Sequence, residues 1–231
     1  MKTRKYSVED VLGDLKKHYS KKNVEGMARF GIKSAKAFGV DAPKIKAIAK
    51  EIGTNHELAL KLWDTGYLEA RAIAAMIANP GLVTKSLMNK WVKDFDSWAV
   101  CDCACCYLFR KTQFAFEKIL VWADRKEEFV RRTAFSLIAY LAVHDKTRDD
   151  KEFLQFIPLI KKYSTDERNF VKKAVNWALR QIGKRSLYLN KEALIVAKEI
   201  KEIDSKSARW IAADAIKELT DPKIIARLKK K

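Results

Sequence analysis

The sequence predicts an all-α protein on three grounds. The 231 residues include only 8 Gly and 4 Pro, which leaves little material for turns or strand ends. The good helix formers alanine, leucine, lysine and glutamate are abundant, and β-branched residues recur at helical spacing instead of alternating. Apolar segments are also separated by brief polar breaks, at intervals that suit helices of about 10 to 18 residues.

The helices can be placed in order from their start and stop signals. Ser7-Val8-Glu9-Asp10 has the pattern of a capping box, with Ser7 as the N-cap and Asp10 in place of the usual glutamate. Later breaks fall at 39–43, 53–56, 65–66, 79–81, 111–112, 145–150, 164–167, 183–186 and 221–222. This regular succession of short helices indicates stacked helical hairpins.

Three segments share an apolar start, basic residues two or three positions later and a small apolar continuation. They are 68–77, 129–138 and 170–179. In a HEAT-like repeat, each helical pair buries its apolar face only against its neighbours. We therefore expect an α-α superhelix, a single-domain curved solenoid of HEAT-like helical repeats that spans residues 1–231 and has a concave surface.

The charge of the chain bears on its partners. Its 47 Lys and Arg exceed its 29 Asp and Glu by 18, and such a field attracts polyanions, with nucleic acid the leading partner. An anionic membrane surface would also suit the charge, but it usually needs an amphipathic segment or a longer lysine run than 229–231. No apolar stretch reaches the roughly 18 to 20 residues of a membrane span, and the N-terminus lacks a signal-peptide core. We therefore expect a cytoplasmic protein that does not contact membranes.

The four cysteines, Cys101, Cys103, Cys105 and Cys106, lie close together in the sequence. On one helix they cannot converge tetrahedrally on zinc, because Cys101 and Cys105 face one way and Cys103 another. No second Cys or His cluster completes a ligand set. We expect reduced core cysteines, with neither a metal nor another cofactor.

Asp102 is the one formal charge between Ser97 and Phe109. Helical spacing places it on one side with Trp98, Cys105 and Phe109, and the indole of Trp98 stands one turn before the carboxylate. A carboxylate among apolar neighbours is costly without a partner, and such placements are concentrated at functional sites. Alternatively, Asp102 caps a neighbouring helix or pairs with an arginine of the next one. From this segment alone, the structural interpretation is favoured.

A second candidate site lies in the helix predicted over 168–184. The buried stripe of this helix is apolar and consists of Val171, Ala174, Ala178 and Ile182. Trp177 lies off that stripe, in a row with Lys173, Arg180 and Lys184. Cations beside an indole suit a nucleic-acid strand, whose phosphates bind the cations and whose sugars or bases pack on the ring. Equally, Trp177 packs against an adjacent repeat, with the lysine stems lying beside it.

The helix predicted over 127–143 contributes a further arginine. Its apolar face consists of Val130, Ala134, Leu137, Ile138 and Leu141. Arg132 falls nearly opposite that face, so we expect it to be exposed or to point into the groove of the solenoid. An exposed arginine is usually only a solvated charge.

Taken together, these segments resemble the AlkD-type DNA alkylation repair glycosylases, a family of HEAT-like helical repeats. The resemblance covers most of the chain and is densest from Leu62 to Lys184. Its most specific parts are Asp96-Ser-Trp-Ala-Val-Cys-Asp102, Phe129-Val-Arg-Arg-Thr-Ala134 and the stretch from Asp166 to Arg180. Met27-Ala-Arg-Phe30, Phe38-Gly-Val40 and Pro43 also resemble the N-terminal region of the family.

The resemblance assigns roles to individual residues. It implies that Asp102 is the catalytic aspartate, that Trp98 and Trp177 contact the sugar, and that Arg132 contacts a phosphate, with Arg131 as a one-residue alternative. One departure concerns Ala99, because the family commonly has an aspartate directly after its first tryptophan. This departure puts in doubt full activity, or the set of lesions handled, more than it does the fold.

The activity implied is hydrolysis of the N-glycosidic bond of cationic N3- or N7-alkylated purines, by a monomer acting on double-stranded DNA. Most glycosylases flip the target base into a pocket, whereas members of this family are thought to grip the lesioned backbone instead. Two alternatives remain. One is a non-catalytic HEAT-like module that binds damaged or branched DNA, and the other is a protein-interaction scaffold, which the charge and the row around Trp177 disfavour.

Overall fold

The computed structural model describes residues 6–32 and 36–230, and within them it contains helices and no strand. The helices are α1 Val8–Lys17, α2 Lys21–Met27, α3 Ala42–Ile52, α4 His56–Asp64, α5 Leu68–Ile77, α6 Lys85–Lys93, α7 Trp98–Tyr107, α8 Ala115–Ala123, α9 Glu128–His144, α10 Lys151–Leu154, α11 Ile157–Tyr163, α12 Asn169–Gly183, α13 Leu187–Lys201, α14 Lys206–Leu219 and α15 Pro222–Leu228. Short 3₁₀ turns follow α2, α5 and α7.

The helix starts follow the local sequence. The capping box predicted at Ser7 and Asp10 is present, because each side chain accepts a hydrogen bond from the backbone N–H of the other residue. Seven later helices begin after a polar N-cap whose side chain accepts from the first turn: Ser20, Asp41, Asn55, Thr84, Ser186, Ser205 and Asp221. The polar breaks in the sequence therefore work as helix boundaries.

Backbone contacts divide the chain into two compact units. The N-terminal unit ends at Phe114 and the C-terminal unit begins at Ala115. The all-α, HEAT-like class that the sequence predicts is confirmed by the helices and by the structural similarity described below. A single domain over residues 1–231 stays a prediction.

Two stacked tryptophans lie at the centre of the N-terminal unit. Trp63 of α4 and Trp91 of α6 are fully buried, with ring centroids 3.9 Å apart and an interplanar angle of 2°. The indole N–H of Trp63 donates to the Asp94 carboxylate over 2.8 Å, which satisfies its one polar atom. Replacing such a buried indole by alanine typically costs about 3 to 5 kcal/mol.

A buried carboxylate holds the loop before α3. Glu69 of α5 has no exposed surface and accepts hydrogen bonds from the backbone N–H groups of Phe38, Gly39 and Val40 over 2.7–3.3 Å. Gly39 has φ +75°, and a Cβ there would lie 2.4 Å from the Ser20 carbonyl oxygen. Only glycine fits this position, because both the backbone conformation and the space exclude a side chain.

The C-terminal unit has two layers of helices. α9, α12 and α14 lie side by side in one layer, and α8, α11 and α13 pack against them. α12 and α14 approach closely where a Cβ on Gly183 would lie 2.7 Å from the Leu219 side chain. A larger residue at 183 would therefore push two helices apart.

Hydrogen bonds that recur at a constant sequence spacing show that each unit is built of structural repeats. In the C-terminal unit, hydrogen bonds join residues 38 positions apart at Asp124–Lys162, Arg132–Phe170, Lys161–Glu199, Glu167–Ser205, Asn176–Asp214 and Arg180–Glu218. In the N-terminal unit the corresponding spacing is 31, at Phe38–Glu69, Trp63–Asp94 and Ala72–Cys103. Each repeat therefore meets the next in constant register, as stacking of supersecondary units requires.

One arginine arrangement recurs in both units. Arg71 donates from Nε to the Trp63 carbonyl, eight positions earlier, and lies over the Trp63 ring at 5.3 Å. Arg131 donates from Nε to the Ala123 carbonyl, also eight positions earlier, and lies over the Tyr163 ring at 4.2 Å. Arg131 is thus the structural counterpart of Arg71.

Candidate functional site

Trp98 and Asp102 are the predicted site residues of the N-terminal unit, and both lie on α7. Trp98 is the first residue of the helix and Asp102 follows one turn later, and each is half-buried. The helix is otherwise anchored by fully or nearly fully buried side chains: Val100, Cys101, Ala104 and Cys105. A carboxylate and an indole are therefore held next to each other at the accessible side of a rigid helix.

The other two members of the predicted Trp98 face are buried. Cys105 follows Trp98 by seven positions, or about two turns, so it lies on the same side of α7 as predicted, but it has no exposed surface. This side of α7 is therefore accessible near its start and buried near its end. Phe109 lies outside α7, in the 3₁₀ turn that follows Tyr107, so the predicted helical alignment does not extend to it.

The indole of Trp98 is oriented by an earlier segment. Its Nε1–H donates to the Phe30 carbonyl oxygen over 2.8 Å. The Phe30 side chain, in the turn after α2, is 70% exposed. Sequence reasoning noted Met27–Phe30 only for its resemblance and gave Phe30 no role. The contact uses the backbone carbonyl of Phe30, so no pattern of side chains in the sequence could have indicated it.

The Asp102 charge acts on a neighbouring thiol. Burial, followed by the charges of Cys106 and Asp102, raises the pKa of the Cys103 thiol to about 12, against an opposing effect of Lys46. At neutral pH the thiolate fraction of Cys103 is then on the order of one in 10⁵. Cys103 donates weakly to the Ala72 carbonyl over 3.7 Å. This cysteine is a protonated packing residue and not a nucleophile.

Ala99 lines an apolar cavity of about 300 Å³ inside the N-terminal unit. The cavity is bounded by side chains of α3, α5 and α7: Ala42, Ile45, Lys46, Leu68, Ala72, Met76, Val100, Cys103 and Tyr107. An aspartate at position 99, as the resembled family commonly has, would place a carboxylate at the edge of this cavity. Its absence leaves Asp102 as the only carboxylate on α7.

Arg132 belongs to the C-terminal unit, and its expected exposure is wrong. The residue is only 6% exposed, and its Nη1 donates to the Phe170 carbonyl oxygen over 2.7 Å. α9 is packed by α8 on one side and by α12 on the other. A helix inside a stack has two buried faces, so the position opposite one apolar stripe is not automatically in solvent.

Arg131, the alternative phosphate contact, is engaged in contacts within the protein. Besides the carbonyl of Ala123 and the ring of Tyr163, it pairs with Asp166 through Nη1 over 2.8 Å. Arg168 binds the same carboxylate over 2.6 Å. Burial opposes ionisation of Asp166, but hydrogen bonds from Arg168 and Arg131 outweigh it and hold its pKa below the ordinary value.

Trp177 lies off the buried stripe of α12, as predicted, and is half-buried. Its ring meets Tyr140 of α9 edge-on, with centroids 4.9 Å apart. With its amide oriented so that both polar atoms find complementary partners, Gln181 accepts from Trp177 Nε1 over 3.1 Å and from Lys184 Nζ over 3.2 Å. The ring therefore packs on a neighbouring repeat and keeps accessible surface, while its contact with a nucleic-acid strand stays a prediction.

The three cations predicted beside Trp177 differ in their surroundings. Arg180 pairs with Asp214 over 3.4 Å and with Glu218, and Lys184 pairs with Glu218 too. These contacts outweigh burial and lower the pKa of Glu218. Lys173 is exposed and has no ion pair with any residue in the described part of the chain. Among the three, Lys173 is the one best placed to meet an external anion.

Within residues 6–32 and 36–230, no group of three or more His, Cys, Asp or Glu side chains could hold a metal ion. None of the four cysteines, all of which belong to the described part of the chain, forms a disulfide; Cys101 and Cys105 are buried, and Cys103 and Cys106 are half-buried. None of the described helices is both long and apolar enough to cross a lipid bilayer.

Comparison with known proteins identifies the family. A sequence model of the DNA alkylation repair enzymes matches residues 11–219. The chain belongs to the DNA alkylation repair enzyme family. This match covers every residue discussed as a candidate site, from Trp98 to Lys184. The family resemblance inferred from the sequence is thereby confirmed.

One solved structure agrees with the family in fold. One is described as a new family of proteins related to the HEAT-like repeat DNA glycosylases with affinity for branched DNA structures. It superimposes with a TM-score of 0.75 at 20% identity, over 90% of this chain and 94% of that one. An engineered protein reaches a TM-score of only 0.44 at 17% identity, over 92% of this chain and 96% of that one, which is too low to show a shared fold. No curated protein sequence matches the chain.

Proposed function

We propose that this DNA alkylation repair family member is a glycosylase that hydrolyses the N-glycosidic bond of cationic N3- or N7-alkylated purines in duplex DNA. The observation that carries the proposal is the pairing of Trp98 and Asp102 on α7, both half-buried on a helix that is otherwise anchored in the core. A carboxylate and an indole one turn apart suit a deoxyribose that becomes positively charged.

The proposed reaction needs few protein groups beyond Trp98 and Asp102. In a cationic alkylpurine, the electron pair of the C1′–N bond leaves with the base and neutralises it, while positive charge develops on the sugar. The Asp102 carboxylate would stabilise that charge, and one well-placed electrostatic group is typically worth about 3 kcal/mol of barrier. Water then forms the C1′–O bond and loses a proton, which the same carboxylate can accept.

The indole of Trp98 would bind the sugar cation through its ring face. Such cation–π attraction is worth about 0.5 to 2 kcal/mol, depending on how far the site is desolvated. The hydrogen bond from Trp98 to the Phe30 carbonyl fixes the ring before substrate arrives, so little entropy is lost when the sugar binds. In the C-terminal unit, Trp177 and Lys173 would contact the DNA backbone, because both keep accessible surface, whereas Arg132 is buried.

Two further observations favour this reaction over neighbouring chemistries. Alkyl transfer to the half-buried Cys103 would need a thiolate, and burial raises the pKa of that thiol to about 12. The cavity at Ala99 is lined mainly by apolar side chains, which offer few groups to hydrogen-bond a flipped base. Recognition through sugar and phosphate, without a deep base pocket, is therefore part of the proposal.

A second candidate is a non-catalytic module that binds damaged or branched DNA. It is favoured by Ala99, where the resembled family commonly has an aspartate, and by the reported affinity of the structural relative for branched DNA. This candidate uses the same basic surfaces but assigns no chemistry to Asp102. Base release separates the two.

The test compares three lesions in otherwise identical duplexes under single-turnover conditions: 7-methylguanine, a bulky cationic N7 or N3 adduct, and uracil. We expect both cationic purines to be released and uracil to be retained, because selection depends on a charged leaving group and not on adduct size. Release of none of them, with intact DNA binding, would favour the binding module. Efficient uracil release, or rejection of the bulky adduct alone, would indicate a base pocket instead.

A further inference from the structure

Trp210 of α14 is the one tryptophan among the large exposed hydrophobic side chains of the described residues, with 42% of its surface accessible. On α14 it follows exposed Lys206 by one turn and precedes exposed Lys217 by two turns. Burial of an indole would be worth several kcal/mol, so its position on the polar side of the helix calls for an explanation. The function proposed above does not use it.

The neighbouring helix adds a cation to this surface. Lys172 of α12 lies with its Nζ 5.3 Å from the centre of the Trp210 ring. We refer to Lys172, Lys206 and Trp210 as the Trp210 surface. Within the part of the chain that the structure describes, neither of its two lysines forms an ion pair.

Nearby carboxylates are occupied by other groups. Asp204 pairs with Arg209 over 2.9 Å, and Glu167 accepts from Ser205 and from the backbone of Ser207 over 3.1 Å. Asp214 accepts from Asn176 over 2.7 Å. None of these carboxylates forms an ion pair with Lys172 or Lys206, so both ammonium groups can bind an external anion.

We infer that the Trp210 surface binds unpaired nucleotides of DNA, with one base stacked on the Trp210 ring and the flanking phosphates bound by the lysines. A ring among cations is the combination by which proteins hold single strands, since every base has a π-face and every nucleotide a phosphate. Bases inside a duplex are already stacked and cannot reach an indole on a helix surface. An apolar protein partner would instead favour apolar neighbours around the tryptophan.

This surface is distinct from the one around Trp177. Trp177 is turned toward α9, where it meets Tyr140, whereas Lys172 is turned toward α14, where it meets Trp210. The inference rests on the proposed DNA-binding role but not on catalysis. It extends the substrate from an intact duplex to a duplex that carries a single-stranded tail or a branch.

The experiment measures the affinity for a blunt duplex and for the same duplex with a tail of about ten thymidines, at one fixed salt concentration. The variants are Trp210→Ala, Trp210→Phe and, as a matched control, Tyr188→Ala. Tyr188 is a 44% exposed aromatic residue on α13, in the other helical layer. A chain of polyglutamate replaces DNA in a parallel series.

We expect the wild type to prefer the tailed duplex and Trp210→Ala to weaken tailed-duplex binding about 10-fold, with blunt-duplex binding unchanged. Trp210→Phe should retain most of the preference, and Tyr188→Ala all of it. Equal loss on both DNAs, no loss on either, or an equal effect of Tyr188→Ala would overturn the inference. Trp210-dependent binding of polyglutamate would point to an acidic protein partner and would also overturn it.

Base release by the same variants keeps this inference separable from the proposed function. If tail preference depends on Trp210 but no lesion is released, the glycosylase proposal fails and the Trp210 surface stands. If lesions are released equally by wild type and Trp210→Ala and no tail preference exists, the reverse holds.

Discussion

Asp102 and Ala99 lie three positions apart on α7, so their side chains are neighbours on the helix surface. The charge of Asp102 contributes to the raised pKa of Cys103, whereas Ala99 contributes only a methyl group to the edge of the apolar cavity. The electrostatic field at a bound sugar would therefore come from one carboxylate. A second carboxylate at position 99 would strengthen it.

We expect Ala99→Asp to accelerate release of 7-methylguanine about fivefold. Two charges about 7 Å apart at an effective dielectric constant of about 40 interact by about 1 kcal/mol, and a developing sugar cation near both would gain that much. Ala99→Asn is the control of equal shape without charge. Single-turnover rates that are the same for the aspartate, the asparagine and the wild type would mean that Ala99 does not limit the reaction.

Among the cations in a row with Trp177, which are Lys173, Arg180 and Lys184, Lys173 alone forms no ion pair within the described part of the chain. Its replacement by alanine should reduce the slope of log affinity against log salt by about 0.9, the value for one phosphate contact on duplex DNA. Lys198→Ala, an exposed lysine of α13, should leave the slope unchanged. Arg180→Ala should lower it less than Lys173→Ala, because Asp214 and Glu218 already neutralise that guanidinium. A slope insensitive to Lys173 would place the duplex contact elsewhere.

At the scale of the helices, the apolar periodicity of the sequence predicted which side of α12 is buried but not which residues of α9 are buried. The stripe of Val171, Ala174, Ala178 and Ile182 is buried as expected, because α12 has a single strongly apolar side. α9 has no such single side, and its buried residues include Arg132, Thr133 and Ser136. A helix enclosed by two neighbours can bury polar groups that its own pattern assigns to solvent, provided that they find hydrogen-bond partners.

The contacts between helices also escaped prediction, for a physical reason. The pairs of Arg131 with Asp166 and of Arg180 with Glu218 join residues 35 and 38 positions apart. Single-sequence periodicity reaches only across one or two helical turns, so it could not tell that these cations are neutralised. It could identify Trp98, Asp102 and Trp177 as exceptional, because each breaks the pattern of its own helix.

The arginine pair on Asp166 makes the stability of the C-terminal unit depend on pH. The pKa of Asp166 is lower in the folded protein than its ordinary value of 3.8, so ionised Asp166 stabilises the fold above that value. This stabilisation should be lost as the pH falls through the folded-state pKa. Below it, both states bind the proton.

Urea unfolding of Asp166→Asn should accordingly begin at a lower denaturant concentration than that of the wild type at pH 7. The difference should shrink as the pH is lowered below about 4, because protonated aspartic acid no longer pairs with Arg131 and Arg168. Glu202→Gln, which removes an exposed carboxylate from the same unit, serves as the control. A difference that stays constant between pH 7 and pH 3 would mean that the pair with the two arginines contributes nothing to stability.

For the whole molecule, the net charge of +18 and the helical repeats indicate the same kind of partner. The repeats in each unit keep a constant register, 31 residues in one and 38 in the other, and so present side chains in rows. Rows of cations interrupted by single aromatic residues suit a polyanion with planar bases. Composition alone indicated such a partner, while the assignment of a reaction depends on one carboxylate.

Asp102→Asn is the variant that tests that assignment most directly. It removes the charge and preserves the shape, so α7 and the affinity for DNA should be unchanged. Asp96→Asn, which alters an exposed carboxylate six positions earlier, provides the control for a change in net charge.

The decisive measurement is the single-turnover rate of 7-methylguanine release by wild type, Asp96→Asn and Asp102→Asn from one methylated duplex at saturating protein. We expect Asp96→Asn to match the wild type and Asp102→Asn to be slower by about 100-fold or more, the usual share of one electrostatic group in a transition state. Equal rates for wild type and Asp102→Asn would contradict the account and make Asp102 a structural residue.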